Sequence, residues 1–323
     1  MNETRRQLLA ALAAGPVTGP ALATEIGVSR AAVWKQVEAL REEGFAIEST
    51  DEGYAITAVP AYGAAAIEYE LDAPYTVEYH ESIGSTNDRA RELAADGQRD
   101  IVVVADEQTG GRGRLARSWA SPPGGIWASA VLDPSLPAAH VPLVTLAAGV
   151  AVVDACLAVD VDATLKWPND VLVGADADSG ADEPSDGSER GGRKLAGILT
   201  EMEGEADRVS WLLVGVGLNA NIDADALPAG ATSLQQQVGD IDRRAVLQTV
   251  LESVSTLLGD PEAIIQRWRA YSSTLGRRVR VDTGREEIEG RAVDVQFPGA
   301  LVVDTDTGEE VVHAGDCEHL RPA

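Results

Sequence analysis

Residues 106–119 read DEQTGGRGRLARSW, and the interpretation of the whole chain starts from this stretch. It follows the apolar run 101–104, whose β-branched residues predict a buried strand. Its glycines can turn backbone N–H groups toward a ligand, and its arginines carry a permanent charge in a planar fork that suits carboxylate or phosphate. A basic surface loop without a ligand is the alternative. Because a compact group of arginines is unusual in a chain of formal net charge −26, we favour a site for an anion over an unliganded basic loop.

The chain is strongly acidic and poor in lysine. Its 323 residues include 52 acidic and 26 basic ones, and lysine occupies only positions 35, 166 and 194. Because the acid is spread along the whole chain, we expect a solvated surface suited to high salt and therefore a halophilic source. An acidic surface that recruits a basic partner is the alternative. The scarcity of lysine also makes each remaining lysine a stronger candidate for a functional role.

The cysteines and the apolar segments bear on the location of the protein. Cys156 and Cys317 are far apart in the sequence and show neither metal-binding nor disulfide spacing, so we expect two reduced structural cysteines. We find no signal-peptide pattern at the start of the sequence. The most apolar stretch, 141–159, is interrupted by Pro142 and Asp154, which favours a core helix over a membrane span. The sequence therefore predicts a soluble, cytoplasmic protein with no membrane contact.

Residues 1–59 are predicted to form a winged helix-turn-helix unit. Three helical patterns each end at a glycine, and a hairpin with its turn at 51–53 follows. Four polar side chains at the start of the third helix would face a DNA major groove, namely Ser29, Arg30, Lys35 and Gln36. The unit holds eight acidic residues against five basic ones. A protein-contact or dimerisation module that has lost DNA binding therefore stays open as the alternative.

A connector over residues 60–75 leads to a larger unit that extends to residue 274. Its GSTN motif places Ser85, Thr86 and Asn87 at the positively polarised start of a helix. Capping of the helix explains one of these three side chains. A ligand role for the other two stays open.

KWPND at residues 166–170 interrupts an apolar run with polar side chains. Its proline forces a local turn, which redirects Lys166, Asn169 and Asp170. A β-turn with satisfied polar groups is the alternative, and the rarity of lysine favours a site. Residues 174–193 then contain six acids and no apolar residue larger than alanine, which is typical of a flexible solvated insertion.

The remaining segments complete the predicted organisation. GVGLNAN at 215–221 ends a strand with glycines that allow a ligand to approach the backbone closely. From residue 275 the pattern changes to short alternating strands, which predict a small SH3-like β-barrel. The expected fold class is therefore α+β. It consists of a winged helix-turn-helix over 1–59, a central mixed-sheet domain over 60–274 and a C-terminal β-barrel over 275–323.

Taken together, six motifs resemble those of the biotin–protein ligases, in the order in which that family carries them. They are GSTN (84–87), DEQTGGRGR (106–114), SW (118–119), KWPND (166–170), KLAGIL (194–199) and GVGLNAN (215–221). With its N-terminal unit, the chain is similar to the bifunctional class that also represses biotin-synthesis genes. The resemblance implies a biotin/lipoate-ligase-like catalytic domain that uses ATP and Mg²⁺ to form biotinyl-5'-AMP. It further implies transfer of biotin to a lysine of a biotin carboxyl carrier domain. Operator DNA would be a second partner, and whether the chain forms a homodimer stays open.

The resemblance also implies a role for each motif residue. Arg112, Arg114 and Lys194 would neutralise charge while the biotin carboxylate attacks the α-phosphate of ATP. The residues implied in biotin binding are Ser85, Thr86, Asn87, Gln108, Arg112, Gly113, Arg114, Trp127 (lining an apolar pocket) and Lys194. Those implied in ATP binding are Arg114, Trp119 (shielding the adenine side), Lys166, Asn169, Asp170 and Asn219, with Asp170 as the candidate metal ligand.

Two departures from the family pattern and two other functions stay open at this stage. Leu115-Ala116 stands where many relatives carry more basic residues, which predicts weaker closure of the loop. The acidic insertion at 174–193 lies between two site motifs where relatives are usually shorter, and it could gate the site or contact the carrier. A lipoate–protein ligase shares the fold and the adenylation chemistry, although GGRGR and the winged helix favour biotin. A repressor that senses biotinyl-5'-AMP without ligase activity is the other alternative. A P-loop nucleotide binder is disfavoured because the sequence lacks GxxxxGK[ST].

Overall fold

The computed structural model of the chain describes residues 3–133, 137–174, 191–205 and 208–320. Most of the acidic insertion predicted at 174–193 lies outside the described residues. The described chain forms a helical N-terminal unit, a seven-stranded mixed sheet covered by helices, and a five-stranded C-terminal sheet. This is the predicted α+β class with the units in the predicted order.

The N-terminal unit contains three helices and a hairpin. Its elements are α1 (Glu3–Ala13), α2 (Gly19–Ile26), α3 (Arg30–Glu42), β1 (Ala46–Thr50) and β2 (Gly53–Ala58). Ser29 caps α3, because its Oγ accepts a hydrogen bond from the Ala32 N–H at 3.1 Å. The hairpin turns between Thr50 and Gly53, as predicted. Apolar side chains of the three helices share one small core.

The connector contains a short helix that the sequence interpretation missed. Helix α4 (Ala64–Glu68) has only five residues, too few for a periodic pattern to reveal it. Ala65 lies in the core of the N-terminal unit, whereas Ile67 lies in the main core of the central sheet. The helix therefore packs against both units and joins them.

The central unit is built on a seven-stranded sheet. Its strands are β3 (Thr76–Ile83), β4 (Ile101–Gln108), β5 (Ile126–Leu132), β6 (Ala163–Lys166), β7 (Asp170–Val173), β8 (Arg193–Glu205) and β9 (Arg208–Leu218). They lie in the order β3-β4-β5-β9-β8-β7-β6. The pair β3–β4 is parallel and every other neighbouring pair is antiparallel, so the sheet is mixed, as predicted.

Helices cover both faces of this sheet. They are α5 (Thr86–Ala95), α6 (Val141–Leu157), α7 (Leu234–Val238), α8 (Arg243–Leu257) and α9 (Pro261–Tyr271). Helix α5 packs on one face, and α6 packs on the other with α8 and α9 against it. Within the described residues, the segment Ala138–Leu157 alone has the length and composition of a membrane span. Because 12 of the 17 residues of α6 are buried in the protein core, α6 is the predicted core helix.

The C-terminal unit is an antiparallel sheet of five strands. They are β10 (Arg278–Asp282), β11 (Glu287–Gln296), β12 (Ala300–Thr305), β13 (Gly308–Val312) and β14 (Asp316–His319), in the order β13-β12-β11-β10-β14. The two edge strands do not pair with each other, so the sheet is open and the predicted SH3-like barrel is not confirmed. Trp167 anchors this unit to the central one. Its indole Nε1 donates to the Gly299 carbonyl of this unit, and its backbone N–H donates to the hydroxyl of Thr274, which directly precedes the unit, both at 3.0 Å.

Candidate active site

A cleft of about 330 Å³ opens where α5 begins beside the central sheet. This volume is within the usual range of small-molecule sites. All six motifs of the sequence analysis contribute to its lining. The predicted site residues that line it are Ser85, Thr86, Asn87, Gln108, Arg112, Gly113, Arg114, Trp119, Asn169, Asp170, Lys194 and Asn219. The fold therefore brings together residues that are widely separated in the sequence.

Two predicted site residues do not line the cleft. Trp127 is fully buried on β5, and its indole Nε1 donates to the Pro122 carbonyl at 3.0 Å. The ring is therefore covered by the chain, and its role in lining an apolar biotin pocket stays a prediction. Lys166 ends β6, where its charge opposes the rise in the pKa of the Cys317 thiol that burial causes. It lies near the C-terminal unit and outside the cleft lining.

The floor of the cleft is made of glycine backbone. Gly197 of β8 pairs directly with Gly217 of β9. A Cβ atom at Gly217 would lie 2.9 Å from the Nε1 atom of Trp119, and one at Gly197 would lie 3.1 Å from its ring. The absence of both side chains creates a flat seat on the sheet, on which the Trp119 indole lies. The ring of Trp119 thus lies close to this backbone, and the close approach of a ligand that the GVGLNAN glycines predict stays a prediction.

Trp119 also contacts the lysine of the cleft. The Lys194 ammonium lies 5.1 Å from the centroid of the Trp119 ring, within the range of a cation–π interaction. The indole Nε1 is buried and makes no hydrogen bond with the described atoms. A buried donor without a partner costs about 1–3 kcal/mol. The position of this ring on the glycine seat is therefore less stable than its packing alone suggests.

Lys194 and Asp170 form an ion pair inside the cleft. The distance from Lys194 Nζ to Asp170 Oδ1 is 2.7 Å, and the side chains are 27% and 16% exposed. Because both groups are largely buried, salt screens this pair less than it would screen a surface pair. An anionic substrate that approaches Lys194 therefore either joins this ion pair or replaces Asp170 as the partner of the ammonium group.

Arg112 points toward the first turn of α5. One of its Nη atoms forms an ion pair with Asp88, whose carboxylate also accepts a hydrogen bond from Arg91 at 2.8 Å. The sequence interpretation missed Asp88, because an acid in the first turn of a helix is usually explained by the helix dipole alone. The arginine that was predicted to meet an anion thus already contacts a carboxylate of the chain.

Arg114 and Arg117 connect the glycine-arginine loop to the C-terminal unit. Arg114 donates to Asn169 Oδ1 at 3.0 Å and to the Gly315 carbonyl at 2.8 Å. Arg117 Nη2 lies 2.5 Å from Asp316 Oδ2. Burial lowers the pKa of Arg114, because the guanidinium loses hydration. A poorly hydrated cation attracts an anion in the cleft more strongly than a solvated one does.

The tip of this loop combines unusual backbone angles with exposure. Leu115 and Ala116 have φ values of 54° and 56°, and Leu115 is 74% exposed. A left-handed conformation costs a residue other than glycine roughly 1–2 kcal/mol. The contacts of the neighbouring arginines with the C-terminal unit hold the tip in this conformation.

Thr86 and Gln108 form a hydrogen-bonded wall of the cleft. Gln108 Oε1 accepts from the Thr86 N–H at 2.8 Å and from its hydroxyl at 3.0 Å, and Gln108 Nε2 donates to Ser121 Oγ at 3.0 Å. Behind them, the buried Ser129 hydroxyl lies 2.8 Å from the Thr86 Oγ1 atom and 2.5 Å from the Asn87 Oδ1 atom. This network fixes the orientation of the polar groups.

Three predicted polar residues have partners within the fold. Ser85 caps α5 and is thus the one of the three GSTN side chains that helix capping explains. Asn87 Nδ2 donates to Glu201 Oε1, and Asn219 Nδ2 donates to the Thr232 carbonyl, both at 2.9 Å. These side chains line the cleft in fixed orientations, so their structural role is established by contacts that need no ligand.

The carboxylates of the cleft limit the kind of metal that it could hold. Within the described parts of the chain, no group of three or more His, Cys, Asp or Glu side chains could hold a metal ion. Two carboxylates, Asp170 and Asp316, line the cleft. Mg²⁺ commonly binds through one or two carboxylates together with substrate phosphates. The donor set therefore fits a Mg²⁺ ion that is bound jointly with phosphate better than a resident metal.

Comparisons with known protein families agree with the three-unit organisation. The chain matches the HTH domain family over residues 4–55 and the Biotin/lipoate A/B protein ligase family over residues 79–219. It matches the Biotin protein ligase C terminal domain family over residues 274–320.

Individual relatives cover between 74% and 94% of the chain. It is 34% identical to the bifunctional ligase/repressor BirA of Bacillus spizizenii, over 94% of this chain and 93% of that protein. It is 36% identical to the biotin–[acetyl-CoA-carboxylase] ligase of Mycobacterium tuberculosis, over 74% of this chain and 86% of that protein. The solved structure of the biotin protein ligase from Aquifex aeolicus in complex with biotin and ATP is similar with a TM-score of 0.61 and 27% identity, over 76% of this chain and 99% of that one.

Proposed function

Because the chain belongs to the biotin–protein ligase family, and within it to the bifunctional ligase/repressors, we propose that its cleft binds biotin and ATP and joins them. The protein is a biotin–protein ligase with an N-terminal helix-turn-helix repressor unit. One observation carries the assignment of the cleft. Arg112, Arg114 and Lys194, from distant parts of the sequence, all line it above a glycine floor.

The chemistry requires the close approach of two anions. The biotin carboxylate attacks the α-phosphate of ATP, which forms biotinyl-5'-AMP and releases pyrophosphate. A lysine amine of the carrier then attacks the acyl carbon, and AMP leaves. Arg112, Arg114 and Lys194 supply fixed cations near the reacting groups, so that charge is neutralised without reorganisation of solvent. Neither step requires a nucleophile from the ligase.

We assign the seat at Gly197 and Gly217 to the bicyclic ring of biotin. A floor without side chains admits a flat ring close to the strands, and the Thr86–Gln108 wall offers donors and acceptors for a ureido group. Trp119 has to leave the seat when the ring enters. Its unpaired indole N–H and its contact with Lys194 fit a side chain that changes position and then covers the ligand.

The nucleotide side of the cleft is assigned from charge and position. Asn169 and Asp170 lie beside Lys194, on the wall that adjoins the C-terminal unit. We propose that Asp170 would be the protein ligand of a Mg²⁺ ion bound together with the ATP phosphates, and that this ion would supply charge neutralisation there. The structural role of Asn219 makes it the weakest member of the predicted ATP set.

Several wider features are part of the same proposal. The acceptor is a biotin carboxyl carrier domain of a biotin-dependent carboxylase, and the N-terminal unit binds operator DNA. A cytoplasmic location agrees with the use of ATP and DNA. A halophilic source is supported by the 52 acidic residues and by their spread along the chain. A homodimer is proposed by analogy with DNA-binding helix-turn-helix proteins, which commonly bind paired half-sites.

Exchange of radiolabelled pyrophosphate into ATP tests the assignment of the cleft. The purified chain should catalyse this exchange only when biotin is present. Exchange that depends on lipoate would indicate the lipoate–protein ligase alternative. If neither acid supports exchange at low or at high salt, the proposed adenylation is wrong.

A further inference from the structure

The solvent face of α3 carries an exposed tryptophan. Trp34 is 58% exposed, and no other large hydrophobic residue is exposed in the described part of the N-terminal unit, residues 3–58. Arg30, one helical turn before Trp34, is exposed on the same face, and Lys35 is exposed about 100° further around the helix, whereas Val33 and Val37 are buried. Folding does not account for the position of this ring, since it contributes little to the core.

The charge of this face differs from that of the unit as a whole. Residues 29–37 contain no acid, although the unit has a surplus of acidic residues. Two of the three acids that follow are paired: Glu38 lies 2.5 Å from Arg41, and Glu43 lies 2.7 Å from Arg5. The first half of α3 therefore presents an aromatic ring between two cations. That combination is complementary to a polyanion with apolar features in its groove.

The hairpin fixes the other end of the helix. Arg41 donates through Nε and Nη2 to the Ile47 carbonyl, at 3.0 and 2.5 Å. The second half of α3 is thereby held against β1, and the first half, whose Val33 is packed in the core, exposes Arg30, Trp34 and Lys35 to solvent. This is the part of a recognition helix that contacts base edges.

We propose that Trp34 reads thymine in the major groove of the operator by packing its ring against the C5-methyl group. The inference rests on the repressor function of the unit. The thymine methyl is the apolar feature of base edges in the major groove, and apolar side chains read it by contact. Arg30 and Lys35 contact phosphates on either side and position the helix without reading sequence. Ser29 contributes less to recognition, because its hydroxyl caps the helix.

Substitution of thymine by deoxyuridine, which removes only the methyl group, tests the proposal. The full chain, with biotin and ATP, first selects a duplex from a random pool, and each thymine of that duplex is then replaced in turn. For the wild-type protein, affinity should fall about four-fold at the contacted thymine, the value expected for one buried methyl group. Trp34→Ala should bind the selected duplex more weakly and should show no further loss at that position, as an interacting pair does in a double-mutant cycle.

Lys35→Ala is the matched control. It should weaken binding to all duplexes while the four-fold effect of deoxyuridine persists, because a phosphate contact carries no sequence information. A deoxyuridine effect of equal size in wild type and Trp34→Ala would overturn the assignment. The assignment would also be overturned if the wild-type protein formed a dimer without DNA and Trp34→Ala did not, because this face would then bind a second copy of the chain. Failure to select any duplex would overturn the repressor function together with the inference.

Discussion

Lys194 Nζ lies 2.7 Å from Asp170 Oδ1, so the lysine of the cleft is paired with a carboxylate of the chain itself. Arg112 is paired in the same way with Asp88. Binding of anionic substrates is therefore an exchange of partners. The cations keep defined positions through contacts that the substrates replace, which reduces the ordering that binding requires. The strength of each internal pair consequently affects the affinity for substrate.

The pair of Arg112 and Asp88 leads to the first prediction. Asp88→Asn should lower the Kd for biotin plus a non-hydrolysable ATP analogue by up to about five-fold, since exposed ion pairs contribute about 0.2–1 kcal/mol. Isothermal titration calorimetry measures the effect. Asp96→Asn is the matched control, because Asp96 is an exposed acid at the other end of α5. Equal or weaker binding by Asp88→Asn would contradict the account.

The charge of Lys194 is the subject of the second prediction. Lys194→Gln should reduce the kcat of biotin-dependent pyrophosphate exchange by roughly 100-fold or more, the usual effect of removing a group that stabilises transition-state charge. Lys166→Gln should lose much less activity, because Lys166 does not line the cleft. Similar losses in the two variants would show that general charge, and not the position of Lys194, controls the rate.

The glycine floor leads to the third prediction. Gly217→Val should raise the KM for biotin at least ten-fold, since even its Cβ would lie 2.9 Å from the Trp119 indole and would fill the seat. Steady-state kinetics of pyrophosphate exchange provide the measurement. Gly259→Ala is the control, because a Cβ there meets only the Thr256 carbonyl at 3.5 Å. An unchanged KM in Gly217→Val would remove the seat from the biotin site.

The contact of Trp167 with the C-terminal unit leads to the fourth prediction. Trp167→Phe leaves the buried Gly299 carbonyl without its indole donor, so the free energy of unfolding should fall by about 1–3 kcal/mol. Urea denaturation followed by circular dichroism measures the loss. Trp34→Phe, at an exposed position, should change it by less than about 0.5 kcal/mol. Equal stability of the two variants would argue against the anchoring role.

The buried cysteines lead to the fifth prediction. Burial raises the pKa of both Cys156 and Cys317 to about 12. Because their pKa is raised this far, the folded thiols stay protonated at pH 8 and should react slowly with iodoacetamide, whereas the pKa of an unfolded cysteine is about 8.5. Their contribution to stability is complete below that value and is lost as the pH rises toward 12. Rapid alkylation of the folded chain at pH 8 would contradict this.

The part of the site that could be predicted from the sequence is local. Ser29 and Ser85 cap helices because a small polar side chain before an amphipathic pattern does so in most contexts. The glycine-arginine loop was recognisable because glycine and arginine have few other reasons to occur together after a buried strand. The cleft position of Asp170 and Asn169 followed from the turn that a proline forces inside an apolar run.

The remainder depends on strand register and on packing between units. The seat exists because Gly197 and Gly217 are paired across β8 and β9, and a single sequence does not specify that pairing. Asp316 reaches the cleft because the C-terminal sheet packs beside it, held in part by Trp167 and by Arg114 and Arg117 of the loop. The cover over Trp127 was not foreseen, because strand alternation gives the face of a side chain but not the loop that covers it. The open C-terminal sheet was missed for the same reason, since closure is a relation between distant strands.

Transfer of radiolabelled biotin to a carrier domain tests the central claim most directly. The wild-type chain, incubated at high salt with ATP, MgCl₂, labelled biotin and a biotin carboxyl carrier domain, should place the label on a lysine of the carrier. Arg112→Ala should release labelled adenylate into solution or fail to form it. Adenylate without transfer by the wild type would indicate a sensor rather than a ligase. Formation of neither adenylate nor labelled carrier would contradict the account.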